Sequence, residues 1–484
     1  MSKYEIVIGM EVHAELLTET KQFCACRNTA LAEPNTHVCP VCLGFPGSLP
    51  VLNAKGVDLA LRTVLAFGSK INTSCYFERK NYFYPDLPKA FQTTQMAVPL
   101  GEGGYIDIDV VAHGKSYVKR VGLHDVHMEE DTGKSAHGEA IGDPDSSLVD
   151  FNRSGIPLLE IVSMPDMRSV EEAEAYMSAL RQILLYLEVS DCKMEQGRLR
   201  FEASLSLRPY GQEEYGTRVE VKNLNSMKAV RDSLRAEIVR QTKVLDAGEK
   251  VQQQTMLWDE ASGTTQPMRS KEQAHDYRYF PEPDLAPLDI DTVWLERVRN
   301  EMTELPRARR ERLVASGLSA YDAEVLTVTR EVGDYFEKAC AGFAGAPKTV
   351  ANWVANDVLG TLNTDGKTIL ESPVSPDALR GLLELIEGGT ISGKIAKEVF
   401  AEMFSSGREA KSIVEDKGLT QVSDTGELDE IIQRVLANNA KAVEDFKAGK
   451  EKSFGALVGG VMKETKGRAN PAVVNDLLRA ELSK

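Results

Sequence analysis

The sequence has no run of about 18 apolar residues, the length a membrane-spanning helix needs, so no such helix is expected. Its opening residues, M-S-K-Y-E-I-V, have neither the apolar core of a signal peptide nor the Arg-rich character of a transit peptide. The expected compartment is therefore the cytoplasm, with no membrane partner. Positive charge is scarce: 57 Lys and Arg stand against 73 Asp and Glu, a formal net charge of −16. That excludes a surface coated with cations, but local patches can still meet nucleic acid. Internal repeats and low-complexity segments are absent. So is the phosphate loop G-x-x-x-x-G-K-[ST]. Gly133-Lys134-Ser135 matches only its end, and the glycine required five positions earlier is Met128, so any ATP site is of another kind.

What is present reads as soluble and globular. The chain has 484 residues, 42% hydrophobic and 27% charged, enough for roughly two to four domains. The stretch I-V-I-G-M-E-V-H-A-E-L alternates strictly. Ile6, Ile8, Met10, Val12, Ala14 and Leu16 fall on one face of a strand, and Gly9, Glu11, His13 and Glu15 on the other. Two acids around one imidazole suit either a solvated polar face or a hard cation such as Mg²⁺.

Four of the seven cysteines crowd together as Cys24-x-Cys26 and Cys39-x-x-Cys42. Two close pairs on tight turns supply the four soft ligands of a structural Zn²⁺ with no open position. A disulfide pair or four unrelated thiols are the alternatives, and nothing points to an oxidising compartment. Residues 77–96 mix cations with aromatics. Arg79, Lys80 and Lys89 are placed to meet phosphate, and Tyr82, Phe83 and Tyr84 either stack on a base or pack a strand and turn.

Gly101–Ala112 reads as a hairpin, and residues 121–135 crowd two histidines and four acids into eight positions, which suits a cation or phosphate site better than a solvated loop. Residues 150–163 read as a turn and a buried strand carrying Glu160, a carboxylate that is costly in an apolar run unless paired or on a metal. Ser169-Val-Glu-Glu172 is a capping box opening a helix. Residues 194–208 alternate with Arg198, Arg200 and Glu202 on one face, and 217–226 with Arg218, Glu220 and Lys222. A second helix spans about 227–247 and stops before Gly248. Over 258–285 the strand signal fades into a loop. The whole reads as α+β with a largely antiparallel sheet.

From Val293 helical periodicity dominates, with a break at S-S-G-R near 406. The last segment, 407–484, balances 13 Lys and Arg against 13 Asp and Glu. Within it, Lys447, Lys450, Lys452, Lys463, Lys466 and Arg468 face only Glu451 and Glu464 across Phe446–Arg468. This is a local basic patch or a solvated lysine face.

Eight stretches together are similar to one family: G-M-E-V-H-A-E-L, C-P-V-C-L-G-F-P-G-S-L-P-V-L-N, R-K-N-Y-F-Y-P-D-L-P-K, H-M-E-E-D-T-G-K-S, N-R-S-G-I-P-L-L-E-I-V, K-N-L-N-S, D-Y-R-Y-F-P-E-P-D-L and K-G-R-A-N-P. They resemble the B subunits of the aspartyl/glutamyl-tRNA amidotransferases, over nearly the whole chain. The resemblance implies a catalytic cradle domain over 1–292 related to glutamine synthetase, an all-α domain over 293–406 and a small all-α tail over 407–484 that meets tRNA through the basic patch. It implies ATP-dependent phosphorylation of the side-chain carboxylate on misacylated Glu-tRNA or Asp-tRNA, then displacement by ammonia from glutamine. The partners it implies are the tRNA, an amidase (the A subunit) and a small C subunit.

By the same resemblance His13, Glu130 and Glu160 hold Mg²⁺ and Glu11 belongs to the adjoining nucleotide and metal site, the four forming the catalytic set. Arg79, Lys80, Arg198, Arg200 and Lys222 are assigned to the nucleotide. The chain carries no Ser-Ser-Lys amidase signature, so ammonia is expected from a partner. A ligase acting on a free small carboxylate would need no basic tail. A non-enzymatic tRNA scaffold would need no such concentration of acids and histidines.

Overall fold

The computed structural model describes residues 3–483 apart from 113, 138–142, 144, 269–273, 420–424, 448–449, 466–468 and 470. The chain forms two compact units, Met1–Leu305 and Pro306–Lys484. The architecture is mixed α+β: an antiparallel-rich sheet in the first unit, then a helical second unit.

The strands that build the site are β1 (Tyr4–Glu15), β2 (Glu78–Asn81), β3 (Phe91–Thr94), β4 (Tyr105–Ala112), β5 (Lys115–Glu130), β6 (Pro157–Ser163), β7 (Leu199–Pro209), β8 (Val219–Lys222), β9 (Gln254–Asp259) and β10 (Thr264–Pro267). They belong to one thirteen-stranded sheet, in the order β10-β9-β8-β7-β1-β6-β5-β3-β2, with β4 folded back on β5. Only β8 and β9 run parallel among these pairs.

The alternation of β1 decides the layering. Ile8, Met10, Val12 and Ala14 are fully buried and join a core with α1 (Ala54–Ala66), α2 (Val170–Tyr186) and α3 (Met227–Asp246). Glu11 and His13, on the other face, stay partly exposed. Each helix begins on a side-chain cap: Asn53, Ser169 and Ser226 accept from backbone N–H groups of their first turns. Ser169 accepts from Glu172 N, as the capping motif requires. The Glu172 carboxylate, however, accepts from Arg168 N at 2.6 Å, Lys119 at 2.6 Å and Tyr117 at 2.8 Å. It therefore fastens the β4–β5 hairpin to α2 and leaves the reciprocal half of the box unmade.

Two other expectations differ from the structure, and a stretch given no element by its sequence takes one. Residues 121–130 are strand, the second half of β5, because Val121, Leu123, Val126 and Met128 are all buried. The alternation is disguised by a register shift opposite Val162 and Ser163: Val162 faces Asp125, but Ser163 faces Leu123. One residue is extra there, so the buried set changes from odd to even numbers. The hairpin expected at 101–112 is instead β4 paired with β5, after a turn at Gly103 and Gly104, both with positive φ. The stretch 258–285 contains β10 and the end of β9, a half-exposed edge whose polar residues carry little strand signal.

The first unit extends beyond residue 292. Helix α4 (Thr292–Glu301) docks on α1, burying Val298, and Asp58 on α1 accepts from Trp294 Nε1 at 2.5 Å and Arg297 at 2.7 Å. Burial raises the Asp58 carboxyl, but these bonds outweigh it and hold the group below its ordinary value. Its stabilisation is then fully present above the unfolded Asp value of about pH 4 and fades as pH falls through the lower folded value. Asp58→Ala should cost roughly 2 kcal/mol at pH 7, typical of a charge-assisted bond. Denaturant unfolding at pH 7 and pH 3 should show that difference shrinking at the lower pH.

The second unit holds two apolar cores, one from Leu313 to Val414 and one from Leu428 to Leu482. The break at Gly407 is a left-handed helix C-terminus. Ala410, Ile413 and Val414 beyond it return to the first of these cores, so the tail core starts only at Leu428. In the cluster beginning at Arg307, Arg309 is buried and paired with Asp334 at 2.8 Å and Glu337 at 3.0 Å, a structural role.

Candidate active site

Strand register brings the functional residues together on the open face. His13 on β1 lies opposite Glu160 on β6 and Arg200 on β7, and Glu160 lies opposite His127 on β5. His13 Nε2 is 3.3 Å from Glu160 Oε2 and 3.6 Å from Glu129 Oε1. His127 Nε2 reaches the same Glu160 oxygen at 3.3 Å, while its Nδ1 is 2.7 Å from Asp125. Donor atoms of His13, Glu129 and Glu160 all lie within 4.8 Å of one another. Burial works against charge on Glu160, but the two imidazoles overcome it and hold the carboxyl well below the usual range. Glu129 is pushed up, first by burial and then by the charge of Glu160. Burial lowers the His127 imidazole, yet Glu160 and Asp125 outweigh it and raise it well above its ordinary value. One nitrogen and two carboxylates converging in a partly buried, anion-rich site are a donor set that fits a hard divalent cation. Asp125 orients His127 through the ring's other nitrogen.

Glu129 stands where Glu130 was expected. The parity of β5 explains it: His127 and Glu129 face the open side, and Met128 and Glu130 the other. Glu130 is buried and forms an ion pair with Lys89, 41 residues away in sequence, and it also accepts from Thr93 N at 3.0 Å. The signal that would have found Glu129 is the buried pair Val126 and Met128, which fixes the phase of everything after it.

Glu11 lies two residues along β1 from His13, outside the three-donor cluster. It borders a cleft lined by Gly9, Ser163, Ser204, Ser206, Gly216 and Arg218. Arg200 bonds Asp131 at 2.8 Å, Arg198 bonds Asp191 at 2.7 Å, and Lys222 bonds Glu202 at 2.6 Å. Lys80 shares the open face, where Glu129 and Glu160 keep its ammonium charged against the opposing effect of burial. Arg79 does not share it. It bonds Glu282 at 2.7 and 2.8 Å and lies 4.1 Å from the Phe91 ring, on the side of Glu130 and Lys89.

On that side the sulfurs of Cys24, Cys26, Cys39 and Cys42 also converge within 4.8 Å. Cys39 and Cys42 are 3.9 Å apart, close to the ~3.8 Å edge of a tetrahedral zinc–thiolate site. Lys21 Nζ lies 3.7 Å from Cys42 Sγ. The Cys42 thiol is lowered to about 5, chiefly by the hydrogen bond from Cys24. These four residues fit a structural zinc.

Residues 6–296 match the model of the GatB/GatE catalytic domain, and residues 334–482 that of the GatB domain. The B subunit of the aspartyl/glutamyl-tRNA(Asn/Gln) amidotransferase of Carboxydothermus hydrogenoformans is 53% identical over all of both chains. Its counterpart in Moorella thermoacetica is 54% identical over 99% of this chain and all of its own. The chain belongs to the family of these B subunits.

Within this GatB-type chain the tail lysines Lys447, Lys450, Lys452 and Lys463 are exposed. Lys450 pairs with Asp445 at 2.7 Å. Lys466, Arg468 and most of the K-G-R-A-N-P turn lie outside the described residues. Among the described residues no helix is long and apolar enough to cross a membrane.

Proposed function

We propose that this chain activates the side-chain carboxylate of Glu or Asp on misacylated tRNA by ATP-dependent phosphorylation, within an amidotransferase of three subunits. Ammonia from glutamine, released by an amidase partner, then attacks the acyl phosphate carbon, phosphate leaves, and the amide of Gln-tRNA or Asn-tRNA remains. A third, smaller protein completes the assembly, and the cradle is related to glutamine synthetase. The observation that carries the reading is the partly buried His13–Glu129–Glu160 cluster on an open sheet face flanked by Lys80, Arg200 and Lys222.

His13, Glu129 and Glu160 would hold Mg²⁺, which neutralises carboxylate and phosphoryl charge during transfer. Lys80, on the β2 side, is free of a short carboxylate bond among the described residues and orients the substrate carboxylate. Arg200 and Lys222 hold phosphoryl oxygens on the β7–β8 side. The cleft beside Glu11 takes the nucleotide. Its small residues let backbone approach: a Cβ on Gly216 would stand 2.1 Å from Leu207 O. The four cysteines would hold a zinc that braces the loop and would leave it no open position for chemistry.

The test is ATP-dependent conversion of Glu-tRNA to Gln-tRNA with and without the partner proteins. Conversion of free glutamate alone, or tRNA binding without ATP turnover, would reject the reading. The tail should hold the tRNA body through its lysines. Because its core starts at Leu428, the informative truncation removes 425–484. It should raise KM for aminoacyl-tRNA and reduce the salt slope of tRNA binding by about 0.7–0.9 for each phosphate no longer neutralised. An unchanged affinity and slope would reduce the patch to a solvated surface.

A further inference from the structure

A second feature borders the three-donor cluster and takes no part in the chemistry described so far. Tyr82, at the end of β2, stands edge-on to Tyr84 with centroids 5.9 Å apart, and to Tyr277 at the same distance. Tyr277 in turn stands edge-on to Tyr279 at 6.0 Å. Lys80 connects this group to the cluster. Its Nζ is 5.2 Å from the Tyr277 ring and 5.9 Å from the Tyr82 ring, and it also feels the charges of Glu129 and Glu160.

The tyrosines are not all spent on packing. Tyr82 is inward, bonded to Gln92 at 3.4 Å, but Tyr84 is 64% exposed. Holding an aromatic face open beside a charged site costs apolar hydration that a packed ring would not incur. The backbone is also held in a costly form here. Arg278 has φ +47°, and Asn81 Nδ2 fixes it there by donating to the carbonyls of Tyr277 at 3.1 Å and Arg278 at 2.9 Å. Ala90, whose carbonyl accepts from Tyr82 N, has φ +61°. Non-glycine residues in this region mark places where surrounding structure enforces a conformation, often at functional sites.

We propose that Tyr84 and Tyr277, backed by Tyr82 and with Arg278 at the rim, form a stacking shelf for the 3′-terminal nucleoside that carries the aminoacyl ester. This rests on the function proposed above and names where that substrate's end lies. A carboxylate held at His13, Glu129 and Glu160 is separated from its esterified nucleoside by only a short side chain, the ester and a ribose. The base must therefore find a surface next to the cluster, and single-stranded ends are held by aromatic faces and arginine planes. The other flank, beside Glu11, is lined by glycine and serine and suits a nucleotide pressed against backbone. The two substrates thus approach from opposite flanks: ATP over β7 and β1, the aminoacyl end over β2.

The test uses the assembled amidotransferase and tRNA ending in 2-aminopurine, whose fluorescence falls when the base stacks. Binding should quench it with the native chain and with Tyr84→Trp, and not with Tyr84→Ala. Tyr84→Ala should raise KM for misacylated tRNA on the order of tenfold, the loss of one base–aromatic stack, and leave KM for ATP unchanged. Tyr84→Trp should restore the native KM, which a merely structural tyrosine would not require. Arg278→Ala should raise the same KM without removing the quench. The proposal is overturned if the native complex is active yet shows no quench, if Tyr84→Ala changes KM for ATP instead, or if it acts only by weakening assembly of the complex. A quench without any amide formation would sustain the shelf while rejecting the function on which it was placed.

Discussion

Replacing Glu160 by Gln is expected to lower ATP-dependent amide formation on tRNA by about a thousandfold, the several kcal/mol that a correctly held cation contributes to a charged transition state. Glu160 is the one carboxylate shared by both imidazoles, with His13 and His127 each at 3.3 Å from the same oxygen. The neutral amide would remove an anionic cation ligand and the carboxylate charge that the two histidines share, leaving His127 to Asp125 and His13 to Glu129. Glu129→Gln should fall by a similar factor, and both variants should need far more Mg²⁺ for half-maximal rate. Glu130→Gln is the control. It leaves Lys89 buried without its partner, so stability falls, but the Mg²⁺ midpoint stays native. A titration of rate against Mg²⁺ decides: a shifted midpoint for Glu130→Gln with a native one for Glu129→Gln would reverse the assignment. Affinity for uncharged tRNA, measured separately, should be unaffected in all three, since the substitutions touch neither the tail patch nor the tyrosines.

The second large effect concerns the four cysteines. Purified protein never exposed to chelator should contain about one zinc per chain. Cys39→Ser should reduce that content and destabilise the first unit by roughly 3 kcal/mol, at the upper end of single-substitution effects. The size follows from what the loop supports. Gln22 N donates to Gly155 O, Asn53 N to Gln22 O, and Ser154 Oγ to Cys42 O. These bonds tie the cysteine loop to α1 and to the turn before β6, which carries Glu160. Loss of zinc should therefore also depress activity through the position of β6. Elemental analysis and thermal unfolding read the two effects. Zinc-free protein with native stability would show that the thiols are only neighbours.

Much of this site was legible because a strand has a period of two. The row Glu11, His13 and Glu15 follows from the apolar residues between them, and Glu160 from its conflict with an apolar run. The four cysteines needed only their spacing. What stayed hidden depended on pairing between distant strands. Glu129 and Glu130 are chemically identical neighbours, and only the phase set by Val126 and Met128 separates them. Arg79 and Lys80 are the same problem: adjacent cations on opposite faces, one bound to Glu282 and one near the acids. Which core α4 and Ala410–Asp416 join was hidden because both are ordinary amphipathic helices whose partners lie far away in sequence. Local pattern specifies an apolar face, not which core it joins.

The extra residue in β5 opposite Val162 and Ser163 separates that strand into two independently phased halves. Beyond it, His127 and Glu129 take their phase from β6. Before it, residues 115–121 take theirs from β4, and Glu172 anchors that hairpin to α2. The hairpin is therefore an exchangeable cassette. A change in its length would leave the acids of the second half in phase with β6. A one-residue deletion after the shift would do the opposite. It would carry Glu130 onto the open face beside His13 and Glu160, and put Glu129 in the buried core position of Met128.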